Sequence, residues 1–211
     1  MKALELTVQK HSNLRWICKR RNYFYLPVLL IMALCFWGKS RNHLIIWPVG
    51  LSIIALGLLI RIWATKHIGI RILRKYKDRE TLPLVVTGPY SLVRNPLYIG
   101  NILVIVGLCI FSELLWLTPI VLIYFFVLYS LVVRYEEYKL SALFEREYEI
   151  YKQKIPRWIL RFTMIRKIKS GGSSWYAALN AELPSFAYTS AAILTLLSKE
   201  FFFDAIKYFQ I

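Results

Sequence analysis

Few residues of this chain could bind a metal ion or form a disulfide. The sequence has three cysteines, Cys18, Cys35 and Cys109, with no C-x-x-C pair, and three histidines that lie far apart. Zinc sites and disulfide frameworks need closely spaced or paired ligands. The sequence therefore predicts no metal site and no cysteine scaffold.

A dinucleotide-binding motif is absent as well. The nine glycines include no G-x-G-x-x-G run after an apolar strand pattern. Dinucleotide folds need strands that alternate with helices, and the long apolar runs of this chain leave no room for them. Any cofactor must therefore be held by helices and their ends.

Acidic residues are scarce: 12 Asp and Glu stand against 28 Lys and Arg, which gives a net charge of +16. A basic surface can bind nucleic acid, but here the basic residues are grouped by position. Six precede the first apolar run, seven lie in 61–79 and ten lie in 134–169. This grouping follows the positive-inside rule. It predicts that the N-terminus, the middle loop and the segment after Val133 are cytosolic, and it favours a lipid bilayer over nucleic acid as the partner.

Hydrophobic residues make up 57% of the chain, which exceeds the fraction usual for a soluble domain. A membrane-spanning helix needs about 20 apolar residues. No cleavage site of a signal peptide follows the first apolar run, so we expect this run to remain as a helix. The fifth run is short, and it is either an interfacial helix or a tilted fifth crossing. The five runs are Tyr23–Trp37, Leu44–Ile60, Leu97–Phe111, Leu114–Val133 and Phe186–Leu197.

Short connections join the first run to the second and the third to the fourth, which predicts two helical hairpins. Apolar residues recur at helical spacing after Val133, and Pro156 is expected to end that helix. We predict an all-α membrane protein with four to five transmembrane helices, arranged as two hairpins plus a cytosolic helical C-terminal segment. The predicted divisions are a basic cytosolic arm (1–22), a membrane domain (23–169), a linker (170–174) and a C-terminal tail (175–211).

The third run begins with Asn95-Pro96. Asn is a preferred N-cap residue, and Pro suits the first helical position. The free N–H groups at a helix start can bind a carboxylate or a phosphate. Arg94 is either a side chain that reaches lipid phosphates or an anion-binding residue. Tyr98 and Asn101 would share its helix face if the helix extended back to Arg94, and Asn101 either bonds a neighbouring helix or lines a polar pocket.

Glu136-Glu137 follows the fourth run. We expect this pair to lie at the end of the fourth helix, where the negative end of the helix dipole repels carboxylates. The pair is either a solvated helix end or an anionic site for a cationic group. Because the third and fourth runs form one hairpin, we expect the two acids and the Asn95 cap to meet at one edge of the bilayer around a polar hollow.

These features together resemble the integral-membrane methyltransferases that include isoprenylcysteine carboxyl methyltransferases and phospholipid N-methyltransferases. The family signature is Arg-His-Pro-x-Tyr, then a hydrophobic stretch, then Glu-Glu. Here it reads Arg94-Asn95-Pro96-Leu97-Tyr98 and Glu136-Glu137. The resemblance extends over roughly 57–158.

The resemblance implies S-adenosylmethionine as methyl donor and a lipid or lipid-anchored acceptor, either a prenylcysteine-type carboxylate or a phospholipid amine. Asn95 stands where the signature usually has His, and an amide cannot exchange a proton near neutral pH. Arg94, Tyr98 and Glu137 would act in catalysis. The implied cofactor contacts are Tyr90, Val93, Arg94, Asn95, Pro96, Tyr98, Glu136 and Glu137.

Two other functions fit parts of the sequence. A related membrane reductase with a nicotinamide cofactor would share the helical hairpin and a cytosolic carboxyl half. A non-catalytic membrane scaffold with a decayed site is supported only by Asn95. The Arg-Asn-Pro-x-Tyr and Glu-Glu motifs favour the methyltransferase.

Overall fold

The computed structural model describes residues 12–37, 42–69, 84–160 and 172–209. The regular structure within these ranges is entirely helical, which confirms the predicted all-α class. Short 3-10 turns at Arg21–Tyr25, Gly88–Ser91 and Leu115–Leu117 connect the longer elements. The α-helices of the described ranges are α1 (Ser12–Arg20), α2 (Leu26–Leu34), α3 (His43–Ile68), α4 (Pro96–Phe111), α5 (Thr118–Lys154) and α6 (Trp175–Phe209).

Two of the described helices, α3 and α5, are long and apolar enough to cross a membrane. Helix α4 has 16 residues, and α2, which follows a 3-10 turn inside the first predicted run, has only nine. The count of four to five spans therefore stays a prediction. Leu44, Leu59 and Ile123 are exposed on α3 and α5. Such exposed apolar faces suit hydrocarbon surroundings.

The fifth apolar run lies inside α6, a helix of 35 residues. At its start, the Lys66 ammonium lies 3.9 Å from the centre of the Trp175 ring. Towards its other end, Lys199 Nζ donates hydrogen bonds to the carbonyls of Met32 and Cys35, at 2.8 and 2.5 Å. Helix α6 therefore runs along the bundle from the end of α3 to the end of α2.

The predicted linker is described only at 172–174. The Ser173 N–H donates to the Lys66 carbonyl at 2.8 Å, so this part of the connection is bound to the last turns of α3. The N-terminal arm is described from Ser12 onward. Its helix α1 packs on α5, where the Cys18 thiol lies 3.8 Å from the Val132 carbonyl.

Helices α3 and α4 cross closely through two pairs of glycines. A Cβ placed on Gly57 would lie 2.8 Å from the Gly100 carbonyl oxygen, and a Cβ on Gly50 would lie 2.9 Å from that of Gly107. Small residues allow helix backbones to approach in this way. The seven-residue spacing in both helices fixes their antiparallel register. It also places the start of α4 beside the last turns of α3.

Helix α5 continues well past Val133. Glu136-Glu137 therefore lies inside a helix and not at its end, so the expectation that a helix terminus repels these acids was wrong. The helix does end as predicted before Pro156, because Ile155 is extended, with φ −113° and ψ 124°. A residue before proline favours this conformation.

Glu145 interrupts α5 with φ 39° and ψ −112°. This backbone conformation crowds the Cβ of an L-residue and costs about 1 kcal/mol or more. We expect Glu145→Gly to raise the free energy of unfolding by about 1 kcal/mol, because glycine has no Cβ. The exposed helical residue Glu147 is the matched control, and Glu147→Gly should lower stability by about 1 kcal/mol. Thermal unfolding in detergent measures whether each variant gains or loses stability. An equal loss of stability in both variants would mean that the backbone at Glu145 carries no strain.

Candidate active site

The start of α4 is held against the segment that follows α5. Asn95 is the N-cap residue and Pro96 the first helical residue, as predicted. The Asn95 side chain does not cap the helix; its Nδ2 donates to the Arg157 carbonyl at 3.3 Å. The Arg94 N–H donates to the Pro156 carbonyl at 3.0 Å. These two hydrogen bonds bring Arg157 beside the start of α4.

Glu137 is buried on α5 and contacts two guanidinium groups. Arg94 Nη1 lies 2.8 Å from Glu137 Oε1. Arg157 Nε donates to the same oxygen at 3.1 Å, and its Nη2 contacts Glu137 Oε2. Hydrogen bonding to the Glu137 carboxylate raises the pKa of Arg157 above its usual range. Charge-assisted hydrogen bonds of this kind fix both the position and the charge of the side chains.

Glu136 belongs to a second cluster beside the first. Arg21 Nη1 lies 3.3 Å from Glu136 Oε1, and the Tyr98 hydroxyl donates to the same oxygen at 2.8 Å. Arg21 Nη1 also donates to the Tyr98 hydroxyl at 2.8 Å. The turn after α1 therefore contributes a cation, Arg21, to the site. The sequence analysis had placed Arg21 in the basic arm (1–22), apart from the membrane domain.

The two clusters lie at the polar end of a cavity of about 1170 Å³. Small-molecule sites usually measure about 300–1,000 Å³. The acids and the Asn95 cap thus meet at one edge of the bundle around one hollow, as their hairpin predicts. Val93 and Pro96 are buried and do not line the cavity. Six of the eight predicted cofactor contacts do line it: Tyr90, Arg94, Asn95, Tyr98, Glu136 and Glu137.

A third polar group lines the middle of the cavity. Arg61 Nη2 lies 2.6 Å from Glu182 Oε2, and the Thr65 hydroxyl donates to Glu182 Oε1 at 2.6 Å. Arg61 Nη1 also donates to the Asn101 side-chain oxygen. Asn101 therefore bonds a neighbouring helix and lines the cavity, so the two interpretations of this residue hold together.

Four charged residues of these three groups were not among the predicted site residues: Arg21, Arg61, Arg157 and Glu182. The sequence does indicate that such partners exist, because buried carboxylates need cationic partners or hydrogen bonds. That rule does not show which of the 28 Lys and Arg residues supply them. The choice depends on tertiary packing.

A family model described as phospholipid methyltransferase matches residues 45–147. The match includes α3, α4 and the part of α5 that carries the two acids. This match confirms the resemblance to the membrane methyltransferases that the motifs of the chain carry. No solved structure gives a significant match.

Three curated relatives match longer stretches. The chain is 31% identical over 153 residues to cobalt-zinc-cadmium resistance protein CzcN of Cupriavidus metallidurans, which covers 70% of this chain and 65% of the relative. It is 30% identical over 139 residues to nickel-cobalt-cadmium resistance protein NccN of Alcaligenes xylosoxydans xylosoxydans, covering 66% and 61%. It is 29% identical over 157 residues to protein-S-isoprenylcysteine O-methyltransferase B of Arabidopsis thaliana, covering 72% and 74%. The chain thus spans less than two thirds of the length of the two metal-resistance relatives.

Proposed function

We propose that this protein transfers a methyl group from S-adenosylmethionine to a lipid or lipid-anchored acceptor at the cytosolic face of a membrane. The acceptor group is a prenylcysteine-type carboxylate or a phospholipid amine. The observation that carries the proposal is the convergence of Arg94, Tyr98, Glu136 and Glu137 at the polar end of one cavity. The match of residues 45–147 to the phospholipid methyltransferase family model supports the same chemistry.

The polar end suits the charges of S-adenosylmethionine. The two carboxylates of the polar end can face the cationic groups of the methyl donor. The guanidinium groups of the polar end can face the donor's carboxylate. Arg94 Nε is buried and has no hydrogen-bond partner within the described part of the chain. Buried polar atoms normally have a partner, so this N–H is available to an anionic ligand. When bound, S-adenosylmethionine supplies an electrophilic methyl group on a positively charged sulfur.

The residues of the chain have distinct roles in this proposal. Arg94, held in place by Glu137, would bind the carboxylate of the methyl donor. Tyr98 and Glu136 would bind its amino group or ribose hydroxyls. Asn95 holds the segment after α5 through the Arg157 carbonyl. Through this hydrogen bond Asn95 acts as a positioning residue. An amide can fill this role, so the histidine of the family signature is not needed for it.

Methyl transfer depends mainly on alignment of the two reactants. Holding them in line, away from water, can lower the barrier by about 7–11 kcal/mol. A carboxylate acceptor reacts without losing a proton. An amine acceptor must lose one, and the carboxylates of Glu136 and Glu137 at the polar end could accept it, either directly or through the Tyr98 hydroxyl that donates to Glu136.

The alternatives gain no support from the comparisons. The matched family is a methyltransferase family, and the reductase is not favoured. The scaffold hypothesis gives no account of why a buried acid and a half-buried acid pair with three arginines around one cavity. If the protein bound a nicotinamide cofactor and not S-adenosylmethionine, the reductase would be favoured over the methyltransferase.

Transfer of labelled methyl groups tests the proposal. Purified protein in detergent is incubated with methyl-labelled S-adenosylmethionine and either a membrane lipid extract or a membrane protein fraction, and the labelled product is identified by mass spectrometry. We expect label in a lipid or a lipid-modified cysteine. Protein that binds the methyl donor but labels no component of the extract or of a membrane protein fraction would contradict the proposed acceptor class.

Tyr98→Phe removes the hydroxyl that joins Glu136 and Arg21 but keeps the ring, whose centre lies 4.8 Å from that of Tyr129. Hydrogen bonds to charged groups contribute about 1.5–3 kcal/mol, so we expect kcat/KM for the methyl donor to fall by about 10-fold or more. The exposed Tyr176 provides the control, and Tyr176→Phe should leave the rate unchanged. Equal rates for Tyr98→Phe and the wild type would show that the hydroxyl takes no part.

A further inference from the structure

The cavity extends well beyond its polar end. The far part is bounded by three helices, α2, α4 and α6, and its wall there is mainly apolar, with Thr189 and Thr195 of α6 also lining the cavity. Apolar side chains that line this part are Leu29, Ala33, Ile105, Leu108, Ala192 and Leu196. We call this part the apolar lobe.

The wall that α6 contributes changes character along the helix. Glu182 and Ser185 contact Arg61 in the middle of the cavity, whereas Ala192 and Leu196 line the apolar lobe. From Glu182 to Leu196 the helix rises by roughly 21 Å. A cavity of this form suits a molecule with a polar group at one end and a hydrocarbon chain at the other.

Helix α6 is fixed at both ends of this wall. At one end of the wall Arg61 donates to Glu182 and Ser185. At the other end Lys199 donates to the carbonyl groups at the end of α2. Residues 175–209 lie outside the segment matched by the family model. The part of the wall that α6 contributes therefore lies beyond the matched region.

We propose that α6 sets the hydrocarbon chain length that the enzyme accepts, and that Arg61 and Glu182 are positioning residues that hold this helix. The inference rests on the proposed function, because the occupant of the lobe is the chain of the methyl acceptor. The methyl donor occupies the polar end. Substitutions on the α6 wall should therefore change acceptor selection and leave the affinity for the methyl donor unchanged.

The first test narrows the lobe. Ala192→Leu and Ala192→Phe add carbon atoms to the wall, and the control Ala187→Phe adds them at an exposed position that does not line the cavity. The acceptors are S-alkyl cysteines and single-chain phosphoethanolamines of graded chain length. We expect both Ala192 variants to shift the preferred chain to a shorter length. For the longest acceptor, kcat/KM should fall by about 10-fold, since even one methylene can change specificity by about 10-fold or more.

The second test concerns the positioning pair. Glu182→Gln should raise the KM for long-chain acceptors and leave the dissociation constant of S-adenosylmethionine unchanged, and Glu182→Asp should restore part of the loss. Glu149→Gln removes an exposed carboxylate on α5 and serves as the control. Equal effects of Ala192→Phe on all chain lengths, or an unchanged KM in Glu182→Gln, would overturn the inference.

Failure of the inference and failure of the proposed function give different results. Methyl transfer with an unchanged chain-length preference in the Ala192 variants contradicts the inference alone. A competition assay with a fluorescent single-chain phosphoethanolamine measures chain-length preference without turnover. A shift in that assay, together with no methyl transfer to any acceptor, contradicts the proposed function.

Discussion

The Glu137→Gln variant should bind S-adenosylmethionine much more weakly than the wild type when the affinity is measured by titration calorimetry on the purified protein. The Glu137 carboxylate contacts both Arg94 and Arg157, and an amide cannot balance their charges. Truncating one partner of a buried charged pair costs about 2–5 kcal/mol. We expect the affinity for the methyl donor to fall by about 30-fold or more, because 1.4 kcal/mol corresponds to about tenfold.

The same substitution should also lower stability. Breaking a buried ion pair by removing one partner costs about 3–5 kcal/mol, and here the segment after α5 would lose its main contact with the site. Glu147→Gln is the matched control, since Glu147 is an exposed residue on the same helix. If Glu137→Gln keeps both the wild-type melting temperature and the wild-type affinity, Glu137 does not organise the site.

Gly57→Ala should destabilise the protein and reduce methyl transfer together. The added Cβ would lie 2.8 Å from the backbone oxygen of Gly100 and 2.9 Å from Val104 Cγ2, so α3 and α4 must separate. Overpacking of this kind typically costs about 1–3 kcal/mol. Since α4 carries Arg94 and Tyr98 at its start, its displacement also moves the site.

Ala55→Val is the control for Gly57→Ala, because Ala55 lies on the exposed face of the same helix. Thermal unfolding and initial rates in detergent measure the two effects. We expect the control to change neither by a measurable amount. A Gly57→Ala protein with wild-type stability would contradict the close crossing of α3 and α4.

The local chemistry of the sequence predicted the start of α4 well. Asn95-Pro96 has the residue types that begin a helix, and the structure begins α4 there. The meeting of this start with Glu136-Glu137 followed from the hairpin, since two helices joined by a short turn return the chain to the same edge. These predictions depended on neighbouring residues and on chain connectivity.

The partners of the acids could not be predicted in the same way. Arg21 and Arg157 reach the site from a turn before α2 and from the segment after α5. Their positions depend on how distant elements pack, and many other basic residues had similar sequence surroundings. The role of α6 was hidden for a related reason. Its apolar run is short, so the sequence left open an interfacial helix or a tilted fifth crossing, whereas in the structure Glu182 and Ser185, before that run, line the cavity.

The central claim is that the start of α4 and the acids of α5 enclose the site of the methyl donor. Ultraviolet cross-linking of radiolabelled S-adenosylmethionine to the purified protein, followed by peptide mapping, tests it most directly. We expect label in the peptides that contain 90–98 and 135–137, and we expect unlabelled methyl donor to compete it away. Competable label found only outside these two peptides would contradict the account.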